Sequence, residues 1–104
     1  IIVKEEDLMK FSNVVRFKTK KGEFDNVIDI LSQPMEFDGL IKTFVIKTGE
    51  NTCCSVGIWA SEDHIAKSRP QMIQLLDSIR DKLDTISEEL GVTDPVSGPI
   101  VFEM

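Results

Sequence analysis

The hydrophobic period of this chain alternates between two residues and about 3.6 residues, and that alternation restricts its fold more than any other feature. Residues 11–18 alternate in the manner of a strand, with Phe11, Val15 and Phe17 on one face. Apolar residues at positions 24, 27, 28 and 31 then follow helical spacing, and a proline three residues later ends that helix. Strand-like patterns return over residues 40–47 and 52–60, and the Gly-Glu-Asn segment between them suits a hairpin turn.

A second helical region follows these strands. Ser61 has the character of a helix N-cap. Ser68 and Pro70 predict a break in this region, because proline is favoured at the first position of a new helix. Apolar residues with a repeating four-and-three spacing predict that the new helix continues to residue 90, where Gly91 ends it.

The C-terminal part predicts one more strand. Residues 94–99 contain two prolines, a glycine and a serine, which predict a long turn, and Ile100-Val101-Phe102 predicts a short last strand. The element order is therefore β-α-β-β-α-β, which indicates an α+β protein with a ferredoxin-like sandwich. We expect a single domain over residues 11–104, preceded by an N-terminal extension over residues 1–10.

The second strand is apolar on both faces, which predicts that the sheet is covered twice. Its two alternating sets are Leu40, Phe44 and Ile46, and Ile41, Thr43 and Val45. In a ferredoxin-like fold both helices lie on one face of the sheet, so the other face needs a different cover. A second copy of the chain is the simplest cover, and we therefore expect a homodimer.

Charge and cysteine content exclude several classes of partner. The chain carries a formal net charge of −6 and has a sequence pI near 4.7, which argues against nucleic acid or an anionic membrane as a partner. No apolar run approaches the roughly 20 residues that span a bilayer. The only two cysteines, Cys53 and Cys54, form neither a disulfide framework nor a zinc-binding spacing, so we expect no metal and a reduced, cytoplasmic setting.

Two segments add a family resemblance to this element order. Residues 17–24, Phe-Lys-Thr-Lys-Lys-Gly-Glu-Phe, and residues 58–63, Ile-Trp-Ala-Ser-Glu-Asp, resemble proteins of the antibiotic-biosynthesis-monooxygenase type over residues 11–104. The resemblance implies a dimeric α+β barrel, in which two ferredoxin-like sheets close on each other as a homodimer. Members of this superfamily include cofactor-independent oxygenases of polycyclic aromatics, quinol oxygenases and haem-degrading enzymes.

The haem-degrading members supply a specific comparison. They use an asparagine on the first strand, a tryptophan at the end of the third and a histidine on the following helix. Asn13 and Trp59 occupy similar positions in this chain. His64 lies in the first turn after Trp59, whereas the ligand of that family lies further along, at the positions of residues 67–71 here.

Trp59, the only tryptophan, is the first candidate site residue. By strand alternation it shares a face with Ser55 and Gly57, and we expect that face to point into the barrel, away from the helices. Trp59 is then either a core or dimer-interface aromatic, or a surface on which a substrate stacks. With Ser55 and Phe44 it forms the predicted substrate-binding set.

The catalytic candidates are His64, Asn13 and Arg16. His64, the only histidine, is either a surface residue or a group that transfers a proton near neutral pH. Arg16 is either an exposed or dimer-bridging charge, or an anchor for an acidic substrate. Asn13 or Arg16 would stabilise a developing oxyanion.

Three functions remain compatible with these residues. The first is a cofactor-independent monooxygenase, an oxidoreductase that acts on an aromatic substrate, quinol- or anthrone-like, in an apolar pocket. The second is a non-catalytic homodimer that binds a small apolar ligand or a protein. The third is a haem-binding or haem-degrading protein with His64 as axial ligand. The sequence contains no tyrosine, so a phenolic donor is excluded.

Overall fold

A five-stranded antiparallel sheet and two helices form the protein, and a computed structural model describes residues 9–104. The elements are β1 (Phe11–Thr19), α1 (Phe24–Leu31), β2 (Leu40–Lys47), β3 (Thr52–Trp59), α2 (Glu62–Ile79), a 3-10 helix (Arg80–Lys82), β4 (Leu83–Asp84) and β5 (Thr93–Pro99). The predicted ferredoxin-like α+β fold is confirmed, with the two-residue strand β4 as an addition. Most of the predicted extension over residues 1–10 lies outside the described residues. No helix within residues 9–104 is long and apolar enough to cross a membrane.

Strand β1 lies at the centre of the sheet. It pairs with β3 on one side and with β5 and then β4 on the other, while β2 pairs with the far side of β3. The register places Asn13 opposite Gly57 of β3, and Gly57 opposite Thr43 of β2. Because paired residues in adjacent strands project from the same face, these three side-chain positions form one row across the sheet.

Both helices cover one face of the sheet, and the core lies between the helices and that face. Phe17, Cys53 and Leu83 of the sheet are buried against Val27 of α1 and Ile79 of α2. Alternation along β3 places Gly57 and Trp59 on the same face as Cys53.

The expectation that Trp59 faces away from the helices is therefore wrong. That expectation followed from the greater apolarity of Cys54, Val56 and Ile58, which would suit the helix-covered side. In the structure these three residues alternate to the opposite face, which we call the outer face. The comparison of apolarity failed because the outer face is itself apolar.

A continuous apolar row crosses the outer face. Phe44 pairs with Val56, Val56 with Val14, and Val14 with Val96, so four strands contribute to it. Phe44 is 40% exposed and Val96 is 62% exposed. An apolar row of this extent at the surface is typical of an interaction face.

Helix α2 differs from its predicted division into two helices. It runs without a break through Pro70, which lies inside it, and Ser68 is buried rather than serving as a cap. The helix ends at Ile79, and the chain returns to the sheet so that Leu83 enters the core as part of β4. The predicted helix up to Gly91 is therefore wrong, because the apolar spacing continues by coincidence across the 3-10 turn.

The C-terminal strand also lies elsewhere than predicted. The expected turn over residues 94–99 is part of β5, which pairs with β1 along its whole length, and β5 ends before the expected strand Ile100-Val101-Phe102. Proline has no amide hydrogen, so it predicts a turn. It is tolerated in an edge strand, where Pro95 and Pro99 lie.

Candidate functional site

A cavity of about 750 Å³ lies between the helices and the sheet. Its walls are mostly apolar and include Ile28 and Leu31 of α1, Met72 of α2, and Val15 and Val45 of the sheet. This size falls within the range of pockets that enclose small organic ligands. The cavity is therefore the candidate binding site of the chain.

A hydrogen bond between two predicted site residues lies in the wall of this cavity. The indole Nε1 of Trp59 donates to Oδ1 of Asn13 at 2.7 Å, and both residues line the cavity. The indole is 2% exposed, so its donor needs a partner inside the protein. Gly57 permits this contact, because a β-carbon there would clash with Asn13 Oδ1 and lie 2.9 Å from Trp59 Nε1.

This hydrogen bond fixes which end of the Asn13 amide faces the cavity. An indole N–H can only donate, so the carbonyl oxygen of the amide must face Trp59. The amide nitrogen Nδ2 then carries two N–H donors, and no residue within 9–104 accepts from it. Within the same range no buried side-chain nitrogen or oxygen lacks a hydrogen-bond partner, so Nδ2 is accessible. Because Asn13 lines the cavity, we expect this donor to be available to a molecule bound there.

Phe37, in the loop between α1 and β2, completes the aromatic part of the wall. Its ring meets the Trp59 ring edge to face, with centroids 5.9 Å apart and an interplanar angle of 72°. This geometry is a favoured one for aromatic pairs. The contact holds the loop against the Trp59 end of the cavity.

Among the cavity-lining residues within 9–104, Lys47 is the only titratable one. It is the last residue of β2, and its Nζ lies 4.2 Å from the centroid of the Phe24 ring at the start of α1. Within the described part of the chain its ammonium group makes no ion pair. The part of the cavity wall that residues 9–104 form therefore has one positive charge and no negative charge.

His64 lies outside the cavity. Its Nδ1 is 2.7 Å from Oγ of Ser61, and its backbone N–H donates to the same oxygen at 3.3 Å. The ring packs so closely on Gly39 that a β-carbon there would overlap with it. Asp63 does not orient the ring, because it pairs with Lys67 at 2.9 Å, and that hydrogen bond and charge lower the pKa of the Asp63 carboxyl. His64 thus closes the first turn of α2.

Arg16 is also separated from the other candidates. It alternates to the outer face, where it pairs in register with Cys54 and Asp94. It lines a second cavity, of about 360 Å³, that shares only Phe17 with the first.

Ser55 lines the main cavity as the predicted set requires. Phe44 lines it as well, but its register partner Val56 assigns the Phe44 side chain to the outer face. The structure thus brings Asn13, Trp59 and Ser55 together and leaves His64 and Arg16 apart.

Cys53 and Cys54 are free cysteines, the first buried and the second partly buried. Cys53 is buried in the core, and burial raises the pKa of its thiol although the charge of Lys47 opposes that effect. A raised pKa leaves little thiolate near neutral pH, so Cys53 is a poor nucleophile.

Haem does not fit the residues present. The axial-ligand role expected for His64 requires an imidazole that reaches the cavity, and the ring of His64 is held against Gly39 outside it. The histidine positions of the haem-degrading family correspond to the stretch from Lys67, and no histidine stands there.

Lys47 and Phe37 line the cavity and were not among the predicted site residues. Lys47 ends a strand beside a hairpin turn, a position typical of a solvated lysine. Phe37 lies in a loop whose path has no periodic pattern. The signal that could have found Lys47 is its parity with Thr43 and Val45, which places it on their face of β2.

Comparison with known proteins gives matches at the level of structure. No family model and no curated protein matches the sequence. A candidate antibiotic biosynthesis monooxygenase from Nitrosomonas europaea superposes with a TM-score of 0.74 at 7% identity, covering 98% of this chain and 97% of that chain. A monooxygenase of Streptomyces coelicolor in complex with the ligand nanaomycin D gives 0.70 at 12% identity, covering 92% and 91%.

A third similar structure is described by its assembly. It is a dimeric ferredoxin-like protein from an uncultured marine organism, with a TM-score of 0.69 at 16% identity over 96% of this chain and 95% of that chain. At such identities the likeness is one of fold. The chain therefore shares the ferredoxin-like α+β fold of antibiotic-biosynthesis-monooxygenase-type proteins, as its sequence predicts.

Proposed function

We propose that this protein is a small cofactor-independent monooxygenase that oxidises an aromatic, anthrone- or quinol-like substrate. The observation that carries the proposal is the amide of Asn13, which Trp59 orients so that its N–H donors face an apolar cavity. A donor fixed before the substrate arrives stabilises a developing oxyanion more than a mobile one does. The fold that the chain shares with a monooxygenase of Streptomyces coelicolor supports the same reaction class.

The proposed reaction needs only the substrate and dioxygen. An anthrone loses a proton from the carbon opposite its carbonyl, and the negative charge spreads onto the carbonyl oxygen. The carbanion transfers electrons to O₂ and forms a carbon–oxygen bond, and loss of water then leaves a second carbonyl. One anthrone and one O₂ thus give one anthraquinone and one H₂O. Carbon is oxidised and dioxygen is reduced.

Each residue of the site has a defined part in this proposal. Asn13 donates from Nδ2 to the oxygen that gains charge, and Trp59 is a positioning residue that holds the amide in place. The apolar walls exclude water and so strengthen that hydrogen bond. No carboxylate or imidazole lines the cavity within residues 9–104, so the substrate must be acidic enough to lose its proton to bulk water and to enter the cavity as its anion. Catalytic roles for His64 and Arg16 stay predictions.

We also propose that two copies associate through the outer face. The exposed row from Phe44 to Val96 supports this arrangement, because a two-fold contact would remove it from water. The fold of the dimeric ferredoxin-like protein also supports it. The cavity lies on the opposite face of the sheet, so each copy keeps its own site.

A second candidate function is non-catalytic binding of a small aromatic ligand in the same cavity. The absence of a carboxylate or imidazole from the described cavity walls favours it. Ligand binding that quenches Trp59 fluorescence, without any oxygen uptake, would distinguish this function from the proposed one.

Oxygen uptake with a panel of anthrones and hydroquinones tests the proposed function. We expect uptake above the buffer rate with the unaltered protein and a loss of about 100-fold in kcat for Asn13→Leu, the usual effect of removing one oxyanion donor. Asn26→Leu, at an exposed position of α1, is the matched control and should keep full activity. Uptake at the buffer rate across the panel, or an unaffected Asn13→Leu, would rule the proposal out.

A further inference from the structure

Lys47 places a positive charge in the cavity wall, and the proposed function assigns no role to it. Asn13 and Lys47, two of the polar residues of the sheet wall, belong to different rows. Asn13 lies in the row with Gly57 and Thr43, whereas Lys47 lies in the row with Cys53 and Phe17. These rows are four residues apart, which corresponds to about 13 Å along the strands. The hydrogen-bond donor and the positive charge thus lie towards opposite ends of one apolar cavity.

The contacts of Lys47 keep its charge beside the cavity. Its ammonium lies over the Phe24 ring at 4.2 Å, and both residues line the cavity. A ring face attracts a cation but does not neutralise it. The carboxylates that flank Phe24 in sequence, Glu23 and Asp25, form no ion pair with Lys47. The charge therefore remains available to a ligand.

The positive charge of Lys47 contrasts with the net negative charge of the chain. A protein with a net charge of −6 repels anionic ligands over most of its surface. Lys47 is solvent-exposed, so water screens its charge and we expect a modest preference for an anionic ligand. Arg16, the cation expected to anchor an acidic substrate, lies on the outer face and is not among the residues that line this cavity.

We infer that the cavity selects an elongated aromatic acid, with its carboxylate at Lys47 and a ring oxygen at Asn13. Three linearly fused rings with a carboxylate at one end match the separation of the two rows. This inference rests on the proposed function for the identity of the site, and it names the substrate class that the site takes. Lys47 is a specificity residue, whereas Asn13 contacts the reacting part.

Binding of two matched probes tests the inference. The probes are anthraquinone-2-carboxylate and anthraquinone-2-carboxamide, which differ in charge but little in shape. Trp59, the sole tryptophan, lies in the cavity wall, so quenching of its fluorescence reports binding directly. We expect the carboxylate to bind about five-fold more tightly than the carboxamide, a typical effect for one partly exposed ion pair. Raising the salt concentration to 0.5 M should reduce that preference.

Three variants separate the charge of Lys47 from other effects. Lys47→Met keeps an apolar stem of similar length and should remove the preference while leaving carboxamide affinity unchanged. Lys47→Arg should retain the preference. Lys42→Met, on the outer side of the same strand, is the control and should behave as the unaltered protein. Equal binding of the two probes by the unaltered protein, or a preference that survives in Lys47→Met, would overturn the inference.

The same experiment separates this inference from the proposed function. A charge preference that depends on Lys47, together with no oxygen uptake, would support the inference and reject the oxygenase. Oxygen uptake with equal affinity for both probes would do the reverse. Failure of both probes to quench Trp59 would count against the cavity as a binding site and so against both.

Discussion

The hydrogen bond between Trp59 and Asn13 depends on Gly57, because this residue has no side chain. A β-carbon at residue 57 would clash with the Asn13 amide oxygen. Gly57 is buried in the middle of β3, so the surrounding strands leave little room for adjustment. The orientation of the amide therefore depends on three residues in two adjacent strands.

Gly57→Ala should disrupt this arrangement. We expect it to destabilise the protein by about 1–3 kcal/mol, the usual cost of overpacking a filled site, and to weaken aromatic probe binding. Gly98→Ala is a matched control, because Gly98 also lies in a strand but a β-carbon there meets nothing within 4 Å. Urea unfolding measures the stability of both variants. A Gly57→Ala protein as stable as the Gly98→Ala protein would contradict the close packing at residue 57.

The residue scale also shows the limit of strand parity. Alternation along β3 correctly grouped Trp59 with Ser55 and Gly57, because that grouping depends only on the two-residue repeat. Parity does not say which group faces the helices. That choice depends on what covers each face, and both faces of this sheet are apolar. The sequence left two roles open for His64, because the direction of its ring depends on contact with Gly39, 25 positions earlier in the chain.

Helix α2 shows at the element scale how packing overrides a local signal. Pro70 lacks an amide hydrogen, so the carbonyl of Ala66 loses its helical partner, and this normally ends a helix. Ile65 lies before Pro70 and Ile79 after it, and both are buried. Burial of apolar residues on both sides of the proline offsets the lost hydrogen bond. The local signal therefore predicted a break that the tertiary contacts prevent.

Pro70→Ala should stabilise the protein. The substitution restores an amide donor to Ala66 within the helix, and alanine is the better helix former by up to about 3 kcal/mol. We expect a gain of about 1–3 kcal/mol in the free energy of unfolding, measured by urea or thermal denaturation. Gln71→Ala, at the adjacent exposed position, is the control and should change stability little. Unchanged or lower stability for Pro70→Ala would indicate that the chain needs a helix boundary there.

At the scale of the whole molecule, the element order was the most predictable property. Four changes of hydrophobic period determine a β-α-β-β-α-β order, and the four long strands pair as that order requires. The position of the last strand was less predictable, because Pro95 and Pro99 favour a turn by composition. Their place in β5 follows from pairing with β1, more than 75 residues away in sequence.

The exposed apolar outer face predicts that the protein is a dimer. We expect light scattering after size exclusion to give about twice the monomer mass of 11.7 kDa. Val56→Lys places a charge in the centre of the outer row and should yield a monomer, because a buried unpaired charge is strongly unfavourable at an interface. Ile73→Lys, at an exposed apolar position of α2, should leave the dimer intact. A monomeric unaltered protein at micromolar concentration would exclude the proposed association.

The prolines of β5 have a consequence for how copies of this chain can add to one another. An edge strand normally has a row of unpaired amide hydrogens, and a strand of another chain can add to the sheet by pairing with them. Pro95 and Pro99 share one parity in β5 and have no such hydrogens, so that row is interrupted at two of its positions. Growth by strand addition is thereby discouraged at this edge. Two copies can still pack face to face through their sheets, and packing about a two-fold axis stops at two copies.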